Sequence, residues 1–195
     1  DMNKIKTTLA TLIAALSLTS CNDWLDVSPK SQIKEEDHFS REGGYKDQLT
    51  GVYTAMSQQS MYGLNMGIGF VEVLSHSYDV DANGKWRYAN EFDYKNSSVE
   101  STISTIWKQT YNCIANLNIL IKNIDQANPN SFSENNYDIY RGEAYGLRGF
   151  LHLDLMRLFA CAPSIDPNAK GVPYVTEYST EVVGQKTVKE TMQMV

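Results

Sequence analysis

Cys21 is the residue of this chain most plainly prepared for a covalent change. Leu18, Thr19 and Ser20 precede it, an aliphatic residue and two small ones, which leave room for a peptidase beside the bond and keep the thiol open to an acyl-bearing group. A second chemistry is written in Trp86-Arg87-Tyr88-Ala89-Asn90-Glu91-Phe92-Asp93-Tyr94. Flat rings stack on sugar faces, and neighbouring amides, carboxylates and guanidinium groups bond hydroxyls; such recognition needs no bond-making. Trp86, Tyr88, Asn90 and Tyr94 are therefore candidate glycan contacts. The competing reading is that these rings pack their loop onto helices. Asp79-Val80-Asp81-Ala82-Asn83-Gly84 opens like a calcium loop, but Asn90 stands where the bidentate Glu belongs, so an Asx-rich turn is the plainer reading. Catalytic spacings are missing: no HExxH or paired histidines, no GxSxG and no Cys/His arrangement. The glycines at 63, 67 and 69 do not make GxGxxG. No catalytic residue, metal ligand or cofactor is assigned.

The residues before Cys21 explain its setting. Asp1 precedes an initiator-like Met2 and is set aside; Lys4 and Lys6 form a basic start, and 7–18 is an uncharged apolar stretch. A bilayer needs about 20 apolar residues, so this stretch is too short to span one and suits a signal peptide over 1–20. Leu18 to Cys21 resembles the lipobox of bacterial lipoproteins. Acyl chains contribute about 0.8 kcal/mol per buried CH₂, so several on one cysteine hold a protein at a membrane. Residues 21–44, with Pro29 and the run Glu35-Glu36-Asp37, read as an extended lipidated tether ending at Gly43-Gly44.

From Tyr45 the period changes to that of helices. Leu49, Val52, Tyr53 and Met56 recur at helical spacing, predicting a helix over 45–61, and a short helix is expected over 70–77. Residues 79–98 read as loop. Ile103, Trp107, Tyr111, Ile114, Asn118 and Ile121 line one face of a helix predicted over 101–123, where Trp107 reads as core. Tyr140, Ala144, Leu147, Leu151, Leu155 and Leu158 line another over 136–159, closed by Ala162-Pro163. On that helix Arg148 is placed to pair with Glu143 or Asp154, and His152 reads as a satisfied core residue. Val172-Pro173-Tyr174-Val175 is an edge strand or an extended segment. Thr187 and Glu190 form a capping box opening a helix. That helix is cut off at Val195 after two turns, so the chain reads as the front of a longer protein. The two long helices superpose at a lag of 34 residues, pairing Tyr111 with Tyr145 and Leu117 with Leu151, a spacing that suits tetratricopeptide units.

Composition bounds the function. Apolar residues make up 42% of 195 and charged residues 21%, with twelve tyrosines, which is core-forming material and not a disordered chain. The net charge is −6 without a basic cluster, which repels phosphate backbones, so no nucleic-acid partner is expected. Cys113 and Cys161 lie in apolar runs and read as small buried hydrophobes, not a bridge.

Several of these segments together resemble the SusD/RagB family of Bacteroidetes outer-membrane lipoproteins. The resemblance lies in Cys21-Asn22-Asp23-Trp24-Leu25-Asp26-Val27, in Gly51 to Met56, and in the spacing of Trp107, Tyr111, Ile114 and Asn118. It is densest in the helix from Arg141 to Leu155, which matches an "EA-x-x-LRA-x-x-Y-x-x-L" pattern with Gly149 and His152 in place of Ala and Tyr, and in Gly171 to Val175. The resemblance implies a mainly all-α fold of tetratricopeptide-type helix pairs with long loops and little strand, of which 45–195 is the N-terminal part. It also implies a cell-surface protein, lipid-anchored in the outer membrane, that partners a SusC-like TonB-dependent transporter and holds an oligosaccharide or other nutrient for uptake. A surface glycoside hydrolase and a purely structural helical adaptor are the alternatives.

Overall fold

The computed structural model describes residues 34–195 except Thr180; Cys21, the expected signal peptide over 1–20 and the Trp24-Leu25-Asp26 segment lie outside the described residues. The chain divides after Asp37 into two units, and of the first only 34–37 are described. Among the described residues seven helices follow in order: α1 (Glu35–His38), α2 (Glu42–Met56), α3 (Phe70–Leu74), α4 (Arg87–Asn90), α5 (Ser97–Gln126), α6 (Asn136–Phe159) and α7 (Val188–Met194), with a 3₁₀ turn at Pro129–Ser131. Among the described residues there is no strand, only an isolated bridge between Lys170 and Thr187.

The fold turns on α5. Asn96 starts it, its side chain accepting from the Ser98 N–H at 3.0 Å, which meets one of the donors a helix start leaves open. Ala127 ends it in an extended conformation ahead of the Asn128-Pro129 turn. α6 runs back antiparallel, as matched pairs show: Trp107 against Phe159, Tyr111 against His152, Asn118 against Arg148 and Asp125 against Arg141. α2 packs on another side of α5, where Gln48 donates to Asn116, and its start meets the start of α6 through Glu42, which accepts from Ser133 and Asn136. A helix flanked on two sides buries more than one stripe. Ile106, Thr110, Cys113, Leu117, Leu120 and Ile124 are buried beside the predicted face, on which Ile114, Asn118 and Ile121 are buried and Ile103, Trp107 and Tyr111 only half so. Each fully buried large apolar side chain contributes about 1.5–3 kcal/mol.

Several boundaries differ from expectation. α2 begins at Glu42, so Gly43 and Gly44 lie inside it. A Cβ at Gly44 would overlap the His38 carbonyl, which fixes glycine at that close approach. α2 stops at Met56, not Met61, because Gly63 folds back on the carbonyls of Ser57 and Gln58; Met61 still enters the core, carried by turns. α5 is longer than predicted at both ends, and α6 has the predicted bounds. The 34-residue lag carries α5 onto α6, which are the two partners of one helix pair and not successive repeats.

Residues 171–176 cross the α5–α6 face as an extended strap. At Gly171 its N–H donates to the Lys186 carbonyl (2.8 Å) and its carbonyl accepts from Gln185 (2.9 Å); beyond that, helix side chains pair its backbone. Tyr111 donates to the Pro173 carbonyl (2.8 Å), Asn118 to that of Val175 (3.1 Å) and Arg148 to that of Thr176 (3.3 Å), while the Val175 N–H donates to His152 Nε2 (3.0 Å). Arg148 therefore bonds neutral oxygens, adding Asn118 Oδ1 at 3.0 Å, and not Glu143 or Asp154. Asp154 instead meets Arg157 at 2.9 Å and the Tyr62 hydroxyl at 2.6 Å. The capping box is formed as expected: Thr187 and Glu190 satisfy each other's backbone at the start of α7. Cys113 and Cys161 are free thiols, Cys113 buried and Cys161 half so.

Candidate functional site

The aromatic stretch predicted to touch glycan is built around a turn of helix, not a plain loop. Asp81 prepares its approach: its carboxylate accepts from the Asn83 N–H (2.8 Å) and its carbonyl from the Gly84 N–H (2.8 Å), an Asx turn. Among the described residues no group of three or more His, Cys, Asp or Glu is placed to hold a metal.

α3 and α4 end in the same way. At α3, the His76 N–H bonds the Val73 carbonyl (3.0 Å) and the Ser77 N–H that of Glu72 (3.0 Å). At α4, the Phe92 N–H bonds the Ala89 carbonyl (3.1 Å) and the Asp93 N–H that of Tyr88 (2.8 Å). Both patterns are Schellman caps, whose C′ residue takes a left-handed conformation and is usually glycine. Here it is His76 (φ 55°) and Phe92 (φ 54°). A side chain there costs about 1–2 kcal/mol, and residues held so cluster at functional sites. The two rings meet, with centroids 4.9 Å apart and planes 30° from parallel, and His76 Nε2 bonds the Asn90 carbonyl at 2.9 Å. Tyr94 continues the row at 6.3 Å from Phe92. Phe92 is 45% exposed and Tyr94 52%.

The predicted contacts divide around this row. Trp86 is half buried against Phe70, with the Lys85 ammonium 4.7 Å from its ring, and it lines a small cleft with Ala89, Val99 and Thr102. Tyr88 is half buried beneath the Arg87 guanidinium at 4.8 Å. Asn90 is half buried and holds His76 through its carbonyl. Tyr94 is the exposed member and borders an apolar cavity of about 160 Å³ with Phe70, Ile103 and Phe159. His76 and Phe92 escaped the sequence reading, because nothing local announces a left-handed cap occupied by a ring instead of glycine. Trp107 packs on Tyr111 (4.9 Å) and Phe159 (5.0 Å), as its helical stripe predicted, yet stays half exposed.

His152 is the satisfied core residue expected. It is 0% exposed, its Nδ1 bonds the Arg148 carbonyl at 2.8 Å, and its ring stacks on Tyr174 at 4.1 Å. Because the Val175 N–H donates to Nε2, the ring's proton sits on Nδ1. Burial, aided by the Arg148 charge, pulls its pKa down to about 4.

Known proteins resemble this chain along most of its length. Residues 23–195 match a SusD-like family described as starch-binding and associating with the outer membrane. Two relatives from Formosa agariphila, both SusD-like proteins, are 28% identical over 167 residues (85% of this chain, 32% of the relative) and 25% identical over 167 residues (82% and 31%). The chain thus spans about a third of the length of these relatives. A putative sugar binding protein from Bacteroides vulgatus superposes with a TM-score of 0.65 at 23% identity, covering 79% of this chain and 34% of that one. A SusD superfamily protein from Bacteroides thetaiotaomicron does so with 0.61 at 22%, covering 79% and 35%. These likenesses establish the fold.

Proposed function

The chain belongs to the SusD-like family, and on that premise we propose that its protein binds glycan at the cell surface, anchored in the outer membrane through Cys21, and delivers it to a TonB-dependent transporter. The observation that carries glycan capture is the exposed row His76, Phe92 and Tyr94, held in place by two helix caps that would be more stable with glycine. Tyr94 and Phe92 supply stacking surface. Asn90 supplies hydrogen bonding, and Trp86 and Tyr88 contribute what their half-buried rings leave open. The family's description as starch-binding supports the ligand class, and the SusD-like relatives support recognition over hydrolysis. The leader and lipobox residues support the anchor, and among the described residues no helix is long and apolar enough to cross a membrane.

Phe92→Gly in the full-length protein tests the site, because it removes a ring while relieving the left-handed backbone. Retardation in gels containing starch should fall at least tenfold with the melting temperature unchanged or raised. Full retardation by the variant would remove the platform from the reading, and release of reducing ends by the wild type would replace binding with hydrolysis. Mass spectrometry of the N-terminal peptide should find Cys21 acylated.

A further inference from the structure

A second cavity, of about 620 Å³, lies between the C-terminal half of α5, the middle of α6 and the residues just after the strap. Its volume is within the roughly 300–1,000 Å³ of small-molecule sites. At about 1.5 Å per residue, the 21 residues from Ser97 to Asn118 put it about 30 Å along α5 from the aromatic row. No part of the platform contributes to it.

Its wall mixes apolar surface, Ile121 included, with polar groups that are already ordered. Asp125 accepts from Arg141 Nε at 2.7 Å on one oxygen and from the Tyr145 hydroxyl at 2.7 Å on the other. A carboxylate has about four lone-pair positions, so each oxygen can take a further donor. Tyr145 carries the guanidinium groups of both Arg141 and Arg148, each 5.0 Å from its ring. Arg148, 9% exposed, bonds two neutral oxygens, and its Nε is buried with no acceptor. A guanidinium has five N–H donors, and buried ones without partners are rare enough to need a reason. Gln126 adds an amide that both donates and accepts, and Tyr178, 67% exposed, is a ring not packed into the core. Lys122 and Glu177 on the same wall bring one charge of each sign, so the cavity is not biased toward an ion.

We infer that this cavity is a second carbohydrate site, taking one neutral hexose residue of a glycan with Tyr178 against a sugar face and Asp125, Gln126 and Arg148 on its hydroxyls. Sugar hydroxyls donate and accept at once, which is what a wall mixing carboxylate, amide and guanidinium can satisfy and a single ion cannot. The strap makes this possible: Asn118 and Arg148 tie it down just before Tyr178, which sets the tyrosine beside the cavity. The inference goes beyond the aromatic platform and does not depend on it.

Photo-crosslinking of the full-length protein separates the two. Maltohexaose, cellohexaose, laminarihexaose and mannohexaose, each with a diazirine at the reducing end, are irradiated with it, and the labelled peptides are sequenced. The expected result is label within 123–141 or 171–186 that drops at least fivefold in Tyr178→Ala and in Asp125→Asn but persists in Phe92→Gly. Label confined to 86–95 would overturn the second site and leave the platform standing. Label at 123–141 or 171–186 that Tyr178→Ala leaves unchanged would also overturn it, as would a protein labelled by none of the four probes.

Discussion

The backbone N–H of Val175 donates to Nε2 of His152 at 3.0 Å, so the strap, whose carbonyls are held by Tyr111, Asn118 and Arg148, also needs a neutral imidazole as an acceptor. Protonation would place a donor where an acceptor is needed, inside a core that holds the ring at 0% exposure. This bond makes the strap, and with it the position of Tyr178, sensitive to acid.

Stability should therefore fall on acidification through His152. Its folded pKa, about 4, lies below the ordinary value of 6.5, so below 6.5 the unfolded chain takes up a proton the folded one refuses. The contribution is complete above about pH 6.5 and is lost as pH falls toward 4, on the order of 3 kcal/mol over that window. Chemical denaturation from pH 7 to 4 should show this slope, and His152→Leu should be less stable at pH 7 but flatter across the window. A slope equal in both proteins would assign the acid sensitivity elsewhere.

Arg148 ties Asn118 on α5 to Thr176 on the strap. Arg148→Ala should destabilise by about 1–3 kcal/mol, since it leaves the buried Asn118 oxygen without its donor. Hydrogen exchange should rise first at Val175 and its neighbours. Protection there matching wild type would show that the strap is held without this guanidinium.

Two glycines in helices should respond oppositely to alanine. At Gly44 the new methyl meets the His38 carbonyl, and Gly44→Ala should lower stability by more than about 1 kcal/mol. At Gly146, in the interior of α6, the methyl meets nothing within 4 Å, and helix propensity alone should raise stability by about 0.5–1 kcal/mol. Melting curves of the two variants decide; a shift of the same sign in both would contradict the packing described.

The two body thiols should react unequally. Burial pushes the Cys113 thiol up to about 11, and its Sγ lies 3.8 Å from Met61 Sδ, whereas Cys161 is half exposed. A thiol reagent at pH 8 should modify Cys161 within minutes and reach Cys113 only on unfolding, since the thiolate is the reactive form. Rapid modification of both in the native protein would show α5 to be far more open than its packing implies.

Much of the scaffold was legible because helices are local. The stripe from Tyr140 to Leu158 marked α6 with its observed bounds, and the Thr187–Glu190 pair marked the start of α7. Ends set by long-range approach were not. Gly43 and Gly44 look like a tether's end until the His38 carbonyl is seen lying against Gly44, and Met61 continues the apolar pattern of α2 although the chain has already turned. Arg148 illustrates the same limit: its own helix offers Glu143 and Asp154, but its partners arrive from α5 and the strap.

The sequence by itself determined that this is a mainly helical, acidic chain rich in aromatic residues, since composition, period and short motifs act within a few turns of chain. Which of those residues share a surface was decided only by the tertiary structure. His76 and Phe92 are sixteen residues apart, and their rings meet because two helix caps come together. Asp125, Arg148 and Tyr178 become one cavity because an antiparallel helix pair and a crossing strap converge there. Such convergence depends on packing between distant segments, and no local pattern encodes it.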